Sequence, residues 1–180
     1  MFEYFDKLNE DLTHYSSTND ICTPMGCVKE MVDNIPDELW HRGNIKILDP
    51  CAGNGNFPAY LETKTDSCNI YANEINKLRL KNLQDYFGER IHIYNNDFLT
   101  MDENDKYDLI IANPPYAQLM DDGRRTAKNH TLSRQFIMKA LNMLNKDGYL
   151  VFIVPDNWMS YADNNPLPEL LSNLQIIILN

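Results

Sequence analysis

No apolar run in this chain approaches the roughly 20 residues that a membrane-crossing helix needs. The N-terminal Met1-Phe2-Glu3-Tyr4-Phe5-Asp6 is acidic where a secretory signal would be basic. Metal chemistry also lacks its usual marks. The four cysteines (Cys22, Cys27, Cys51, Cys68) form no Cys-x-x-Cys pair, and the four histidines (His14, His41, His92, His130) have no ligand spacing. The composition therefore predicts a cytoplasmic protein with no metal and no membrane contact. Positive charge is scarce as well. Sixteen Lys and Arg against 26 Asp and Glu leave a formal net charge of −10, which repels phosphate at long range. No repeat or low-complexity segment is present. What remains is 180 residues, 43% hydrophobic, enough to bury one core and little more.

Four residues carry the most information. Asn113-Pro114-Pro115-Tyr116 follows an apolar strand, Tyr107-Asp108-Leu109-Ile110-Ile111-Ala112. The Asn113 side-chain oxygen can accept one hydrogen of an exocyclic amino group. Pro114 has no N–H and a fixed φ, and its carbonyl can accept the second hydrogen. Tyr116 offers a face on which a flat ring can stack. A rigid strand-to-loop turn is the plainer reading, since Asn-Pro is a common turn dipeptide.

Upstream, Ile45-Lys46-Ile47-Leu48-Asp49-Pro50-Cys51-Ala52-Gly53-Asn54-Gly55-Asn56-Phe57 reads as a buried strand, an acid at its C-terminal edge and a small-residue loop entering a helix. Gly53 and Gly55 allow close backbone approach to a ligand. In a doubly wound sheet this loop lies where ligands bind, although the full three-glycine fingerprint is absent and a tight turn would look the same. A second strand, Ile70-Tyr71-Ala72-Asn73-Glu74-Ile75, ends in an acid about twenty residues beyond the glycines, the place of a ribose-binding carboxylate. A third, Ile91-His92-Ile93-Tyr94-Asn95-Asn96-Asp97-Phe98, ends in Asp97-Phe98. There the Asp can bind an adenine amino group beside an aromatic wall, or cap a turn with Phe98 in the core.

Elsewhere the chain alternates in an α/β pattern. Residues up to about Leu12 read as a helix and 16–20 as a polar linker. Thr23 reads as an N-cap with Pro24 at the first helical position, ahead of Val28, Met31, Val32 and Ile35 at helical spacing. A helix over about 132–145 stops at Gly148, and a buried strand follows over 149–154. Trp158 and Met159 read as core or pocket residues, and a last helix near 167–174 leads to a sixth strand, Ile176-Ile177-Ile178-Leu179.

Together these residues resemble the amino-group DNA methyltransferases that use S-adenosylmethionine, of the adenine-N6 type. The resemblance runs from about Thr23 to the last residue, with the motifs in the order that places target recognition last. It implies a doubly wound, mostly parallel α/β sheet of the Rossmann-like methyltransferase type, C-terminally incomplete at about six strands. Residues 1–22 form an N-terminal helix and linker, and 23–180 a catalytic domain without a target-recognition domain. Thr23, Asp49, Pro50, Ala52, Gly53, Gly55, Glu74, Ile75, Asp97 and Phe98 would bind S-adenosylmethionine. Asn113, Pro114, Pro115 and Tyr116 would be catalytic, methylating a flipped-out adenine, as in a restriction-modification system. The cysteines would stay reduced. Arg124, Arg125 and Lys128, in a locally basic stretch that continues to Arg134 and Lys139, would hold the DNA backbone, or form a solvated loop. A missing C-terminal region, a partner subunit or self-association would complete the sheet. Enzymes methylating glutamine side chains or ribosomal RNA guanine carry similar tetrapeptides, and a non-catalytic methyltransferase-like subunit is a further alternative.

Overall fold

In the parallel strand Tyr107–Ala112 (β4) five of six residues are buried, which requires cover on both faces. Its neighbour Lys46–Asp49 (β1) pairs with it in the register Ile47 to Leu109 and Leu48 to Ile110. Successive strand side chains point to opposite faces. Ile47, Leu109 and Ile111 accordingly enter one core, and Leu48 and Ile110 the other. This alternation makes the domain three-layered. The computed structural model describes residues 2–10, 22–64, 69–115 and 131–154, with Glu169 and Ser172.

Three more strands complete the described sheet: Asn69–Asn73 (β2), His92–Tyr94 (β3) and Leu144–Phe152 (β5). The order is β3-β2-β1-β4-β5, every pair parallel. One face is covered by helices Phe2–Glu10 (α1), Met25–Asp33 (α2), Asn56–Leu61 (α4) and Lys77–Phe87 (α5), which contribute Phe5, Val28, Leu61 and Phe87. A short helix, Asp37–Trp40 (α3), adds Leu39 to that core. The other face is covered by Thr131–Asn142 (α6), through Phe136 and Ala140, and by a 3-10 turn, Phe98–Thr100.

Two sequence expectations change. Thr23 does not cap α2; the N-cap is Pro24, with no side-chain cap bond, and the Thr23 carbonyl accepts from Asn56 Nδ2 at 2.8 Å instead. Gly148 does not stop the preceding helix, which ends at Asn142, but lies inside β5. Leu144 already pairs with Tyr107, an irregularity follows with Asp147 at φ 61, and the ladder resumes at Tyr149 opposite Leu109. A Cβ on Gly148 would meet the Asn145 carbonyl oxygen at 3.0 Å, so the irregularity needs glycine for space. The predicted strand 176–179, and Trp158 and Met159, lie outside the described residues.

Gly55 starts α4 at φ 99, and a Cβ there would sit 2.6 Å from Phe87 Cε2 and 2.7 Å from Leu83 Cδ2. Both the left-handed backbone and the contact with α5 demand glycine. Gly55→Ala is expected to cost about 1–3 kcal/mol in urea unfolding. Gly26→Ala, in α2 with nothing within 4 Å of the added carbon, is expected to gain about 0.5–1 kcal/mol.

Candidate active site

The C-terminal ends of β1, β2 and β4, and the loop after β3, surround a cavity of about 260 Å³, just below the usual range for small-molecule sites. Its floor is the turn after β1. Ala52 N donates to Asn73 O at 2.9 Å and Gly55 N to Ala52 O at 2.8 Å, and Gly53 adopts φ 59 between them. Pro50, Ala52, Gly53, Glu74, Ile75, Asp97 and Phe98 all reach the cavity wall, with Thr23 from the segment before α2.

Asn73, absent from the sequence-predicted site, braces this arrangement. Its side chain is buried at the end of β2; Nδ2 donates to the carbonyls of Pro50 and Asn96, and Oδ1 accepts from Asn96 N, each at 3.0 Å. The loop after β1 and the loop after β3 are thereby fixed to one amide. Asn95 adds a second tie by donating to the carbonyl oxygens of Glu74, at 2.6 Å, and Ile75, at 3.1 Å.

Glu74 is almost fully buried and accepts three hydrogen bonds. Gly53 N donates to Oε2 at 2.8 Å, while Asn76 N at 2.7 Å and Arg79 Nη2 at 3.0 Å donate to Oε1. Arg79 is equally buried, and the pair is a buried ion pair on the cavity wall. It stands there because Asn76 caps α5, its Oδ1 accepting from Leu78 N and Arg79 N, which aims the first turn back at the strand end.

Asp49 has a different position from its neighbours. It is 1% exposed and lies behind the cavity wall, its Oδ1 accepting from Cys51 N at 3.2 Å and its Oδ2 without a hydrogen-bond partner. Burial first, and the negative charge of Glu74 after it, hold its carboxyl well above the usual carboxylate range. Gly55 and Pro114 also lie off the wall.

At the other end, Asn113 and Pro115 line the cavity beyond β4, and the Cys51 thiol approaches the Asn113 carbonyl at 3.5 Å. Leu132 and Phe136 of α6 close this side, with Phe136 tilted on Phe98 at 5.1 Å between ring centroids. Asn56, the first residue of α4, adds a buried amide beside Thr23. Tyr116, Arg124, Arg125 and Lys128 lie outside the described residues. Lys139, read from sequence as part of the basic stretch, is turned inward. It donates to the Met101 carbonyl and pairs with Glu103 at 3.2 Å, so it holds the loop between β3 and β4.

Asn73 and Arg79 left only weak signals in the sequence: a polar residue where a buried strand ends, and a cation five residues beyond an acid. Among the described residues no three His, Cys, Asp or Glu side chains are grouped to hold a metal ion, and no helix is long and apolar enough to cross a membrane. The donor set suits S-adenosylmethionine. The buried Glu74 carboxylate, Ile75, Thr23 and Asn56 line one cavity, while Asp97 Oδ1 accepts from Leu99 N at 3.0 Å to cap the 3-10 turn and Phe98 is buried in the core, its edge on the wall.

Asn73→Ala is expected to cost about 1–3 kcal/mol in urea unfolding, because it leaves the buried Pro50 carbonyl without its donor and removes the part-buried bonds to Asn96. Asp49 binds its proton more tightly folded than unfolded. The stability it contributes is therefore full below about pH 4 and fades as pH rises toward its folded value. Asp49→Asn is accordingly expected to raise the urea midpoint at pH 8, with a gain that shrinks as the pH is lowered toward 4. A difference independent of pH would refute this assignment.

A family model described as Eco57I restriction-modification methylase matches residues 27–179. Type II methyltransferase M.AccI of Acinetobacter calcoaceticus is 27% identical over 139 residues, covering 67% of this chain and 26% of that protein. Type II methyltransferase M.VspI of Vibrio sp. is 26% identical over 173 residues, covering 87% of this chain and 42% of that protein. The tRNA1(Val) (adenine(37)-N6)-methyltransferase of Aliivibrio fischeri is 31% identical over 121 residues, covering 61% and 52%. This chain thus spans less than half the length of the first two relatives. Among solved structures, TrmN from Thermus thermophilus has a TM-score of 0.56 at 18% identity, covering 81% of this chain and 42% of that one. An S-adenosylmethionine-dependent methyltransferase from Clostridium acetobutylicum has a TM-score of 0.55 at 17% identity, covering 84% and 56%. At such identities the likeness is one of fold, and the sheet is of the Rossmann-like methyltransferase type. With the family model extending over most of its length, the chain is a member of the Eco57I restriction-modification methylase family.

Proposed function

We propose that this chain binds S-adenosylmethionine and carries the catalytic domain of an adenine-N6 DNA methyltransferase of a restriction-modification system. Residues 23–180 form that domain, and 1–22 an N-terminal helix and linker. One observation carries the reading: Asn113 and Pro115 open onto the same cavity as Glu74, Asp97 and Phe98. That shared wall supports a nucleoside site beside an acceptor for an amino group.

Bound there, the cofactor supplies a methyl group on a positively charged sulfur. The chain's own residues supply acceptors and placement. The adenine amino nitrogen is a poor nucleophile because its lone pair is delocalised into the ring. Asn113 Oδ1 and the Pro114 carbonyl accept its two hydrogens and favour a pyramidal nitrogen, an interaction that strengthens toward the transition state. Tyr116 stacks on the base, which has to leave the duplex to reach the site. Arg124, Arg125 and Lys128 hold the phosphate backbone against a net charge of −10.

A second reading, methylation of a tRNA adenine, has the Aliivibrio fischeri relative in its favour. The amino group is the same, so only the substrate separates the two. The test is mass spectrometry of nucleosides after incubating the chain and S-adenosylmethionine with mixed-sequence DNA or with tRNA. N6-methyladenine from DNA is expected. Its appearance in tRNA alone would replace the proposal by the second reading, and failure to bind S-adenosylmethionine in a calorimetric titration would overturn both. Asn113→Ala is expected to keep cofactor binding and to slow methyl transfer by about 100- to 1,000-fold.

A further inference from the structure

Between two glycines held in the left-handed region, Gly53 at φ 59 and Gly55 at φ 99, stands Asn54, 2% exposed and on the cavity wall. Glycine backbone is the most permissive there is, so a Gly-x-Gly turn does not select one shape by itself. The Asn54 amide is gripped from two sides. On one, Asn82 Nδ2 of α5 donates to Asn54 Oδ1 at 3.1 Å. On the other, Asn54 Nδ2 donates to the Leu8 carbonyl and to Asn9 Oδ1 of α1, each at 3.5 Å.

These amides have a fixed polarity. A carbonyl only accepts, so the side of Asn54 turned to Leu8 carries the NH2 group, which leaves its oxygen for Asn82. Asn9 therefore serves as an acceptor, and its own Nδ2, although buried, has no hydrogen-bond partner among the described residues. Helix α1 is seated independently of the amides, by the fully buried Phe5 and by Tyr4, whose ring stacks on Tyr86 of α5 at 5.0 Å between centroids. Its C-terminal end thus reaches the turn from outside the cavity.

We propose that Asn9 and Asn82 are positioning residues for the ligand-binding turn, and that helix α1 is coupled through Asn54 to occupancy of the cavity. The coupling presupposes that the cavity takes S-adenosylmethionine. It gives α1, none of whose residues lines the cavity, a part in holding the ligand.

Such coupling is reciprocal: the factor by which the docked helix raises affinity is the factor by which the ligand favours docking. Hydrogen exchange of the α1 amides in the whole chain, with and without saturating S-adenosylhomocysteine, reads it without any substitution. Exchange in α1 is expected to slow about three- to tenfold, the effect of one or two neutral hydrogen bonds. In α3, which shares the same core but has no residue on the cavity wall, it is expected to slow by less than about twofold. Slowing in α1 by less than about twofold, or by no more than in α3, would overturn the inference while the proposed function stands.

Polarity gives a second test, read as the calorimetric affinity for S-adenosylhomocysteine. Asn9→Asp keeps the acceptor and is expected to bind within about twofold of the unsubstituted chain. Asn9→Leu loses it and is expected to bind about three- to tenfold more weakly. Asn82→Asp sets an acceptor against Asn54 Oδ1 and is expected to weaken binding about tenfold or more. A general effect of added negative charge would act alike at both positions, so equal affinities for Asn9→Asp and Asn82→Asp would remove the two residues from the role. Should Asn82→Asp fail to fold, Asn9→Asp against Asn9→Leu and the exchange of the unsubstituted chain decide the matter. If the unsubstituted chain does not bind S-adenosylhomocysteine, the proposed function falls and this inference with it.

Discussion

The amide of Asn73 is the point on which the cavity depends. In a doubly wound sheet the ligand lies beyond the carboxyl ends of the strands, where the chain leaves the ladder and backbone groups lose their partners. Three segments leave it together here: the turn after β1, the end of β2 and the loop after β3. One buried side chain supplies donors to Pro50 and Asn96 and an acceptor to Asn96 N. A carboxylate at the same place could accept from Asn96 N but could donate to neither carbonyl, and an apolar residue could do neither. The amide thus sets the separation between the glycine turn and the Asp97-Phe98 corner, which is the width of the slot.

Charge is distributed around that brace unequally. Glu74 and Asp49 are both buried at the ends of adjacent strands, yet among the described residues only Glu74 has a cation, Arg79, beside it. Burial first, and the negative charge of Glu74 after it, drive the Asp49 carboxyl toward its neutral form. That division leaves Glu74 as the ionised acid that faces the cavity and Asp49 as the one that fastens the Cys51 amide. The positions on the cavity wall agree: Glu74 stands on it and Asp49 behind it.

The layered fold was legible in the sequence because it follows from local pattern. Apolar strands such as Tyr107-Asp108-Leu109-Ile110-Ile111-Ala112, separated by amphipathic helices, leave few other arrangements. The strand ends were legible for the same reason: Glu74 and Asn113 directly follow strands that the sequence shows, and both reach the cavity wall. What sequence did not show depends on contacts between segments. Arg79 becomes part of the site only because Asn76 caps α5 and turns its first helical turn toward Glu74. Asp49 resembled a ligand residue by its place in the motif, and only three dimensions put it behind the turn. Gly148 read as a helix stop because glycine commonly is one, whereas Leu144 had already joined the sheet.

The two halves of the cavity differ in how they are made rigid, and the difference bears on chemistry. The Glu74 half is held by the Asn73 brace and the Glu74 hydrogen bonds, all to groups that cannot shift without losing several bonds at once. The Asn113 half is held by backbone: β4 runs straight into Asn113, its last residue Ala112 paired with Phe152, and the Ala112 carbonyl accepts from Ile153 N at 3.0 Å. The two prolines that follow restrict φ and cannot donate. In the role proposed for it, Asn113 gains most if it needs no reorganisation to accept from an amino group. Its place directly after the most buried of the described strands, with proline immediately behind, suits that proposal.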